Sequence, residues 1–139
     1  MISVALFGGD DQARLGRGVS GKYFTGQLGD DQLVGADRRD IIGGRQGDDV
    51  VKGRGDNDEV SGFTGNDHVF GGNNRDVVDG GTGFDEMRGG EGDDEINAFD
   101  GRSDKLINCG RGEDVAYVDR NLDPAPRHCE TVRYRPSPD

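Results

Sequence analysis

A nine-residue period runs through this chain from Gly8 to Asn97, and very few folds can carry one. Read from Gly8, the blocks are GGDDQARLG, RGVSGKYFT, GQLGDDQLV, GADRRDIIG, GRQGDDVVK, GRGDNDEVS, GFTGNDHVF, GGNNRDVVD, GGTGFDEMR and GGEGDDEIN, with no insertion or deletion between them. Position 1 is Gly in every block but the second, where Arg17 stands. Position 8 is apolar throughout: Leu15, Phe24, Leu33, Ile42, Val51, Val60, Val69, Val78, Met87 and Ile96, and Leu6 extends the column one step upstream. Position 6 is Asp in eight successive blocks, at Asp31, Asp40, Asp49, Asp58, Asp67, Asp76, Asp85 and Asp94. The column continues at a ten-residue step with Asp104 and Asp114.

A period of nine fits neither the helical repeat nor the heptad. It fits a six-residue loop followed by a three-residue strand whose single inward residue is position 8. Each unit then buries one large side chain and has no stability alone, so the units must stack into a solenoid. Position 4 shows how many units make one coil. In alternate blocks it reads Gly29, Gly47, Gly65 and Gly83, whereas the intervening blocks have Arg38, Asp56, Asn74 and Gly92. Recurrent Gly implies a backbone with φ > 0. The full period is therefore 18, with two loops and two strands per coil.

Composition agrees. The chain has 139 residues, 26 of them Gly, and only 30% are apolar, against roughly 45–50% in an ordinary domain. A conventional layered core is excluded, because the side chains to fill it are missing. The net charge of −11 argues against a nucleic-acid partner and against docking on anionic lipid, and favours cations. No apolar run reaches the length of a membrane span. The stretch from Ile2 to Phe7 is too short, and lacks the basic lead, of a signal peptide. The two cysteines, Cys109 and Cys129, fit either free buried thiols or a disulfide.

Stacking brings the Asp column into two files, Asp31, Asp49, Asp67, Asp85 and Asp40, Asp58, Asp76, Asp94. Coils about 4.8 Å apart place carboxylates where each pair repels by roughly 3 kcal/mol at an effective dielectric of about 20. A hard cation between successive Asp residues turns repulsion into attraction. Calcium suits such a site, since it takes six to eight oxygens, backbone carbonyls included, in flexible geometry, whereas magnesium demands a tight octahedron. Asp as a turn former explains acids in loops but not an unbroken column at one loop position.

These residues resemble a known family. GGTGFD (80–85) followed by EMR, and GGEGDD (89–94) followed by EIN, match the nonapeptide GGxGxDxUx of hemolysin-type RTX proteins, and GQLGDD, GRQGDD and GFTGND are near matches. The resemblance covers about residues 26 to 114. It implies an all-β, right-handed parallel β-roll, two nonapeptides per coil, with calcium between loops that stand one full coil apart. The implied ligands are the position-6 carboxylates, Asp104 and Asp114 included, and carbonyls of the first four loop positions, among them Gly29, Gly47, Gly65, Gly83 and Gly92. The segment NCGRGEDVAYVDR…CETV is similar to the C-terminal end of actinobacterial members, which implies that Cys109 and Cys129 pair.

Some loops depart from the pattern. Position 6 is Ala13 and then Lys22 in the first two blocks, which predicts a metal-free cap in which Lys22 either pairs with Asp40 or is solvated. Arg38, Arg39 and Arg75 disfavour calcium in the even loops, so the odd file ranks as the calcium row. Asp76/Asp94 fits in the even file and Asp40/Asp58 fits least. Asp85/Asp104 and Asp94/Asp114 depend on how the ten-residue units are accommodated. GRGVSGK (16–22) lacks the Ser or Thr of a phosphate loop, Arg54-Gly55-Asp56 reads as a chance tripeptide, and His68 and His128 have no zinc spacing around them. No catalytic constellation is present, so the chain is not expected to be an enzyme. The expectation is a roll of about six coils: residues 1–25 as a degenerate capping coil, 26–118 as the calcium-binding β-roll, and 119–139 as an irregular tail. Its function is calcium binding coupled to folding of a secreted module, with calcium ions as the expected partners and no protein partner identified by the sequence. The alternative is an extracellular adhesin or matrix module in which calcium is only structural.

Overall fold

A computed structural model describes residues 2–17 and 22–135. Among these residues are fourteen short strands, the first thirteen of which alternate between two sheets while the last joins the same sheet as the thirteenth: β1 (Ile2–Ala5), β2 (Gln12–Arg14), β3 (Lys22–Leu28), β4 (Gln32–Val34), β5 (Asp40–Gln46), β6 (Val50–Arg54), β7 (Glu59–Thr64), β8 (His68–Asn73), β9 (Val77–Thr82), β10 (Glu86–Glu91), β11 (Glu95–Ala98), β12 (Leu106–Arg111), β13 (Val115–Asp119) and β14 (Thr131–Arg135). The eight-stranded sheet runs β1-β3-β5-β7-β9-β11-β13-β14 and the six-stranded sheet β12-β10-β8-β6-β4-β2. Each pairing is parallel, between strands one coil apart, as in β5–β7 and β6–β8. The result is a β-roll of about seven turns. Among the described residues no helix is long and apolar enough to cross a membrane.

The core is the position-8 column. Phe24, Ile42, Val60, Val78 and Ile96 lie in one sheet, Leu33, Val51, Val69 and Met87 in the other, and none is more than 1% exposed. β-branched residues suit a file in which each side chain meets its counterpart one coil away.

The unbroken nine-residue frame fails at both ends. Phe24 aligns with Val4, not Leu6, and Leu33 with Ala13, not Leu15, because the first coil is longer than the regular ones by two residues. The extra pair lies between β2 and β3, and Leu15 remains buried beside the core. Glu86 pairs with Leu106 and Glu95 with Val115, a step longer than the regular one by the same amount, so the Ala98–Lys105 segment absorbs a second extra pair. Lys105 and Leu106 both donate backbone N–H groups to the Asp85 carbonyl, at 2.8 and 3.3 Å, which is how the ladder takes up the excess.

The tail is less irregular than its composition predicts. Arg127 joins the edge of the small sheet: its N–H donates to the Ile107 carbonyl at 2.9 Å, and its carbonyl accepts the Cys109 N–H at 3.0 Å. A Cys109–Cys129 disulfide fixes this segment. β14 then pairs with β13 on the large sheet. The four prolines, all close to the C-terminus, mask this final turn in the sequence, although Pro124 and Pro126 precede the paired residues instead of interrupting them.

Candidate metal centre

Turns of only three to five residues connect the strands from β3 to β11, because most strands run on through positions 1–3 instead of stopping after three residues as the period predicts; position 6 lies at the end of each turn, at the mouth of the next strand. The fold therefore stacks Asp31, Asp49, Asp67 and Asp85 on one edge of the roll, continued by Asp104. Asp40, Asp58, Asp76 and Asp94 stack on the other, continued by Asp114. All are buried, Asp104 being the most accessible at 6%.

In all of these carboxylates but Asp40, one oxygen ties two coils together. Asp49 Oδ1 accepts the Asp31 N–H at 2.7 Å, Asp67 accepts from Asp49 at 2.7 Å, and Asp85 accepts from Asp67 at 2.8 Å. In the even file Asp58 accepts from Asp40, Asp76 from Asp58 and Asp94 from Asp76, each at 2.8 Å. Asp104 and Asp114 continue the pattern at 3.0 and 2.7 Å.

The other oxygen has no such use. The Oδ2 atoms of Asp31, Asp49, Asp58, Asp67, Asp76, Asp85, Asp94 and Asp114 are buried without a hydrogen-bond partner. Leaving a charged acceptor buried and unsatisfied is costly. From Asp31 to Asp94 these oxygens are aimed at the Cα of position 1 in their own block, and this explains the Gly column there. A Cβ on Gly71 would stand 2.6 Å from Asp76 Oδ2 and 2.7 Å from the Gly89 carbonyl oxygen of the next coil. A carboxylate oxygen and a carbonyl oxygen thus converge on a cradle that a side chain would fill. Among the described residues no three His, Cys, Asp or Glu side chains cluster as a metal-binding group. The donors on offer are all oxygen, drawn from side chain and backbone. That set fits a hard cation with high coordination number, which is calcium.

Position 4 supplies the turn. Gly29, Gly47, Gly65 and Gly83 have φ of +115, +134, +134 and +146°, and Gly92 has +125°. A Cβ on Gly65 would collide with the Gly47 carbonyl one coil earlier. The even row has lost most of its glycines but keeps a positive φ at two of the replaced positions, in the left-handed region: Asp56 and Asn74 hold φ of 69 and 76°. Asp and Asn are the residues that tolerate that region best after Gly.

The fourth loop is different. Arg38 does not adopt positive φ. Ala36 instead donates its N–H to Asp40 Oδ2 at 2.7 Å, so the oxygen exposed to the cradle elsewhere is engaged by its own loop. Lys22 aligns with Asp40 in the ladder. The Lys22 side chain, and with it the expected ion pair, lies outside the described residues, as does the Gly18–Gly21 part of the GRGVSGK segment.

Burial raises the carboxyl pKa values along both files. Desolvation, added to by neighbouring carboxylates and opposed by the backbone N–H bond, pushes Asp67, Asp58 and Asp104 up to about 8 and Asp76 to about 7. Asp49, Asp85 and Asp94 rise to about 6 for the same reasons, desolvation first. Burial thus disfavours the charged form of the folded stack, an effect that protons or a cation would relieve.

Both files reach further than the column read from the sequence. Asp31 Oδ1 accepts the Asp11 N–H at 2.8 Å, so Asp11, not Ala13, takes the position-6 place in the first coil. The repeated tetrapeptide GDDQ, at 9–12 and 29–32, is the signal for it. At the other end Asp123 accepts from Asp104 at 3.1 Å and Glu130 accepts from Asp114 at 2.9 Å, with no periodic signal to reveal either. A second ladder also has no reading in the sequence. Position-5 side chains accept the N–H of the next coil: Asp10 from Asp30 at 3.0 Å, Asp30 from Asp48 at 2.8 Å, and Asp48 from Asn66 at 2.8 Å.

The family model for the RTX calcium-binding nonapeptide repeat matches the chain in four copies, at residues 25–60, 43–78, 53–87 and 79–102, together more than half of its length. No curated protein and no solved structure matches.

Proposed function

The chain belongs to the RTX calcium-binding nonapeptide repeat family, and from that premise we propose that it is a secreted β-roll module whose folding is coupled to calcium binding. The observation that carries this reading is the set of buried Oδ2 atoms without partners, repeated coil after coil. In the odd file Asp31, Asp49, Asp67 and Asp85, continued by Asp104, hold the cations together with carbonyls of the glycine-rich loops. In the even file Asp58, Asp76, Asp94 and Asp114 do so, and Asp40, with its Oδ2 already engaged, contributes least. Gly29, Gly47, Gly65, Gly83 and Gly92 let the loops approach closely enough to share a cation between coils. When bound, calcium supplies positive charge between stacked carboxylates and completes their oxygen coordination. Without it, like charges one coil apart oppose a fold whose core is one side chain per strand. The Cys109–Cys129 disulfide supports an oxidising, extracellular setting.

The test is circular dichroism during a calcium titration of the EDTA-treated protein. A cooperative gain of β signal with calcium and none with magnesium is expected. A spectrum already folded in EDTA and unmoved by calcium would overturn the coupling.

A further inference from the structure

The net charge of −11 is not spread evenly. On the small sheet one outward row, in register from β2 to β10, reads Arg14, Val34, Lys52, Phe70 and Arg88. The parallel outward row reads Gln12, Gln32, Val50, His68 and Glu86. Glu86 is the one acid in the two rows, and it is engaged by Arg88 at 2.8 Å and by His68 at 3.7 Å. The corresponding rows of the large sheet, from β3 to β13, hold Glu59, Asp79 and Glu95 and no base. The small sheet is thus a basic face on an acidic molecule.

Its cations are regularly placed. Arg14, Lys52 and Arg88 are each two strands from the next, which puts them about 10 Å apart in a stripe about 19 Å long. All three are exposed. The Lys52 ammonium rests over the Phe70 ring, 5.4 Å from its centre, so its position is fixed without an acid to neutralise it. Two clefts open along the stripe. One of about 300 Å³ is lined by Gln12, Ala13, Arg14, Gln32 and Val34, the other of about 260 Å³ by Lys52, Arg54, Phe70, Gly71 and Gly72.

The shape of the charge selects the partner. The loops on one edge of the small sheet expose the acids Asp10, Asp30 and Asp48, whereas those on the other edge expose Asp37, Asp56 and Asp93 together with Arg38, Arg39 and Arg75. A broad anionic surface such as a bilayer or a duplex would press against those acids as well as the stripe. A single chain narrow enough to lie between the loop rows avoids the Asp10, Asp30 and Asp48 edge and meets the cations, with Glu86, already paired to Arg88, as the one acid in the two rows. We infer that the small-sheet face binds a linear anionic polysaccharide laid along the stack, its carboxylate or sulfate groups on Arg14, Lys52 and Arg88 and a sugar ring against Phe70. The binding is electrostatic and falls with salt, since the contacts are exposed and the rest of the molecule repels the ligand.

The experiment uses the full chain in calcium, with dextran sulfate as the probe and neutral dextran as its uncharged counterpart. Affinity is read by titration calorimetry at low and physiological salt. The double variant Lys52→Gln/Arg88→Gln changes exposed side chains outside both Asp files, and its calcium-induced circular dichroism is checked against the parent so that a folding failure is seen separately. Should that spectrum be lost, Arg14→Gln/Lys52→Gln replaces it. At least tenfold weaker dextran sulfate binding is expected, with the control Arg102→Gln/Lys105→Gln within about twofold of the parent and no binding of neutral dextran. Unchanged affinity in the stripe variant overturns the proposal. So does equal binding of neutral dextran, or equal capture of the protein by anionic vesicles or duplex DNA at the same salt.

Discussion

Asp67→Asn separates the electrostatic cost of the Asp files from their use. Asp67 is fully buried. Its Oδ1 accepts the Asp49 N–H at 2.7 Å, and an Asn oxygen can keep that bond. Its Oδ2 faces the cradle near Gly62 and the Gly80 carbonyl oxygen, to which an Asn amide can donate. Burial raises the Asp67 carboxyl from 3.8 to about 8. A group raised in the folded state contributes fully below the unfolded value, and that contribution is lost as pH rises toward the folded one. In EDTA the parent fold therefore weakens between about pH 4 and pH 8, and the weakening ascribed to Asp67 at pH 7 is on the order of 4 kcal/mol. Asn carries no charge, so the variant should be more stable than the parent in EDTA by that order at pH 7 and above, with the gap closing near pH 4. In calcium the ranking reverses, because a carboxylate donor to two neighbouring sites is gone. The assay is circular dichroism along a urea series in EDTA at pH 5 and pH 8, entered from trimethylamine N-oxide where the chain is unfolded in buffer, with calorimetry of calcium binding. If the variant in EDTA at pH 8 is no more stable than the parent, the buried-charge reasoning is wrong.

Two further outcomes follow from the same geometry. Gly71→Ala places a methyl between Asp76 Oδ2 and the Gly89 carbonyl oxygen. It should cost about 1–3 kcal/mol and remove calcium from the adjoining site, seen as a reduced stoichiometry in calorimetry. Cys129→Ser opens a 20-residue loop. It should cost about 3 kcal/mol in a chemical melt and leave the calcium stoichiometry of the central coils unchanged.

The middle of this fold is legible because one residue type fills each structural role. From Asp31 to Asp94 the period never slips, so the core column and the Asp files can be read directly. The ends are not legible, for specific reasons. Gly8-Gly9 mimics the start of a block and sets the frame two residues late, and this conceals Asp11 behind Ala13 although GDDQ recurs. Asp123 and Glu130 sit on a segment positioned by a disulfide and by prolines, where no period survives. The role of position 1 also escapes the sequence: Gly there reads as loop freedom, but its Cα closes a cradle against a carboxylate. In the even row Asp56 and Asn74 keep a positive φ, though a smaller one than the glycines of the odd row adopt, so counting glycines overstates the difference between the two edges.

Each coil touches only the coils before and after it, and the regular coils differ from the next by 18 residues. Mechanically this makes the molecule a string of equal links. Drawn out from its ends it would release chain in steps of one coil, about 60 Å of contour each, and not in one global rupture. The segment between Cys109 and Cys129 adds nothing to that extension, because its covalent bond carries the load past it, whereas β14, beyond Cys129, can still peel from β13. Force applied along the roll is answered coil by coil.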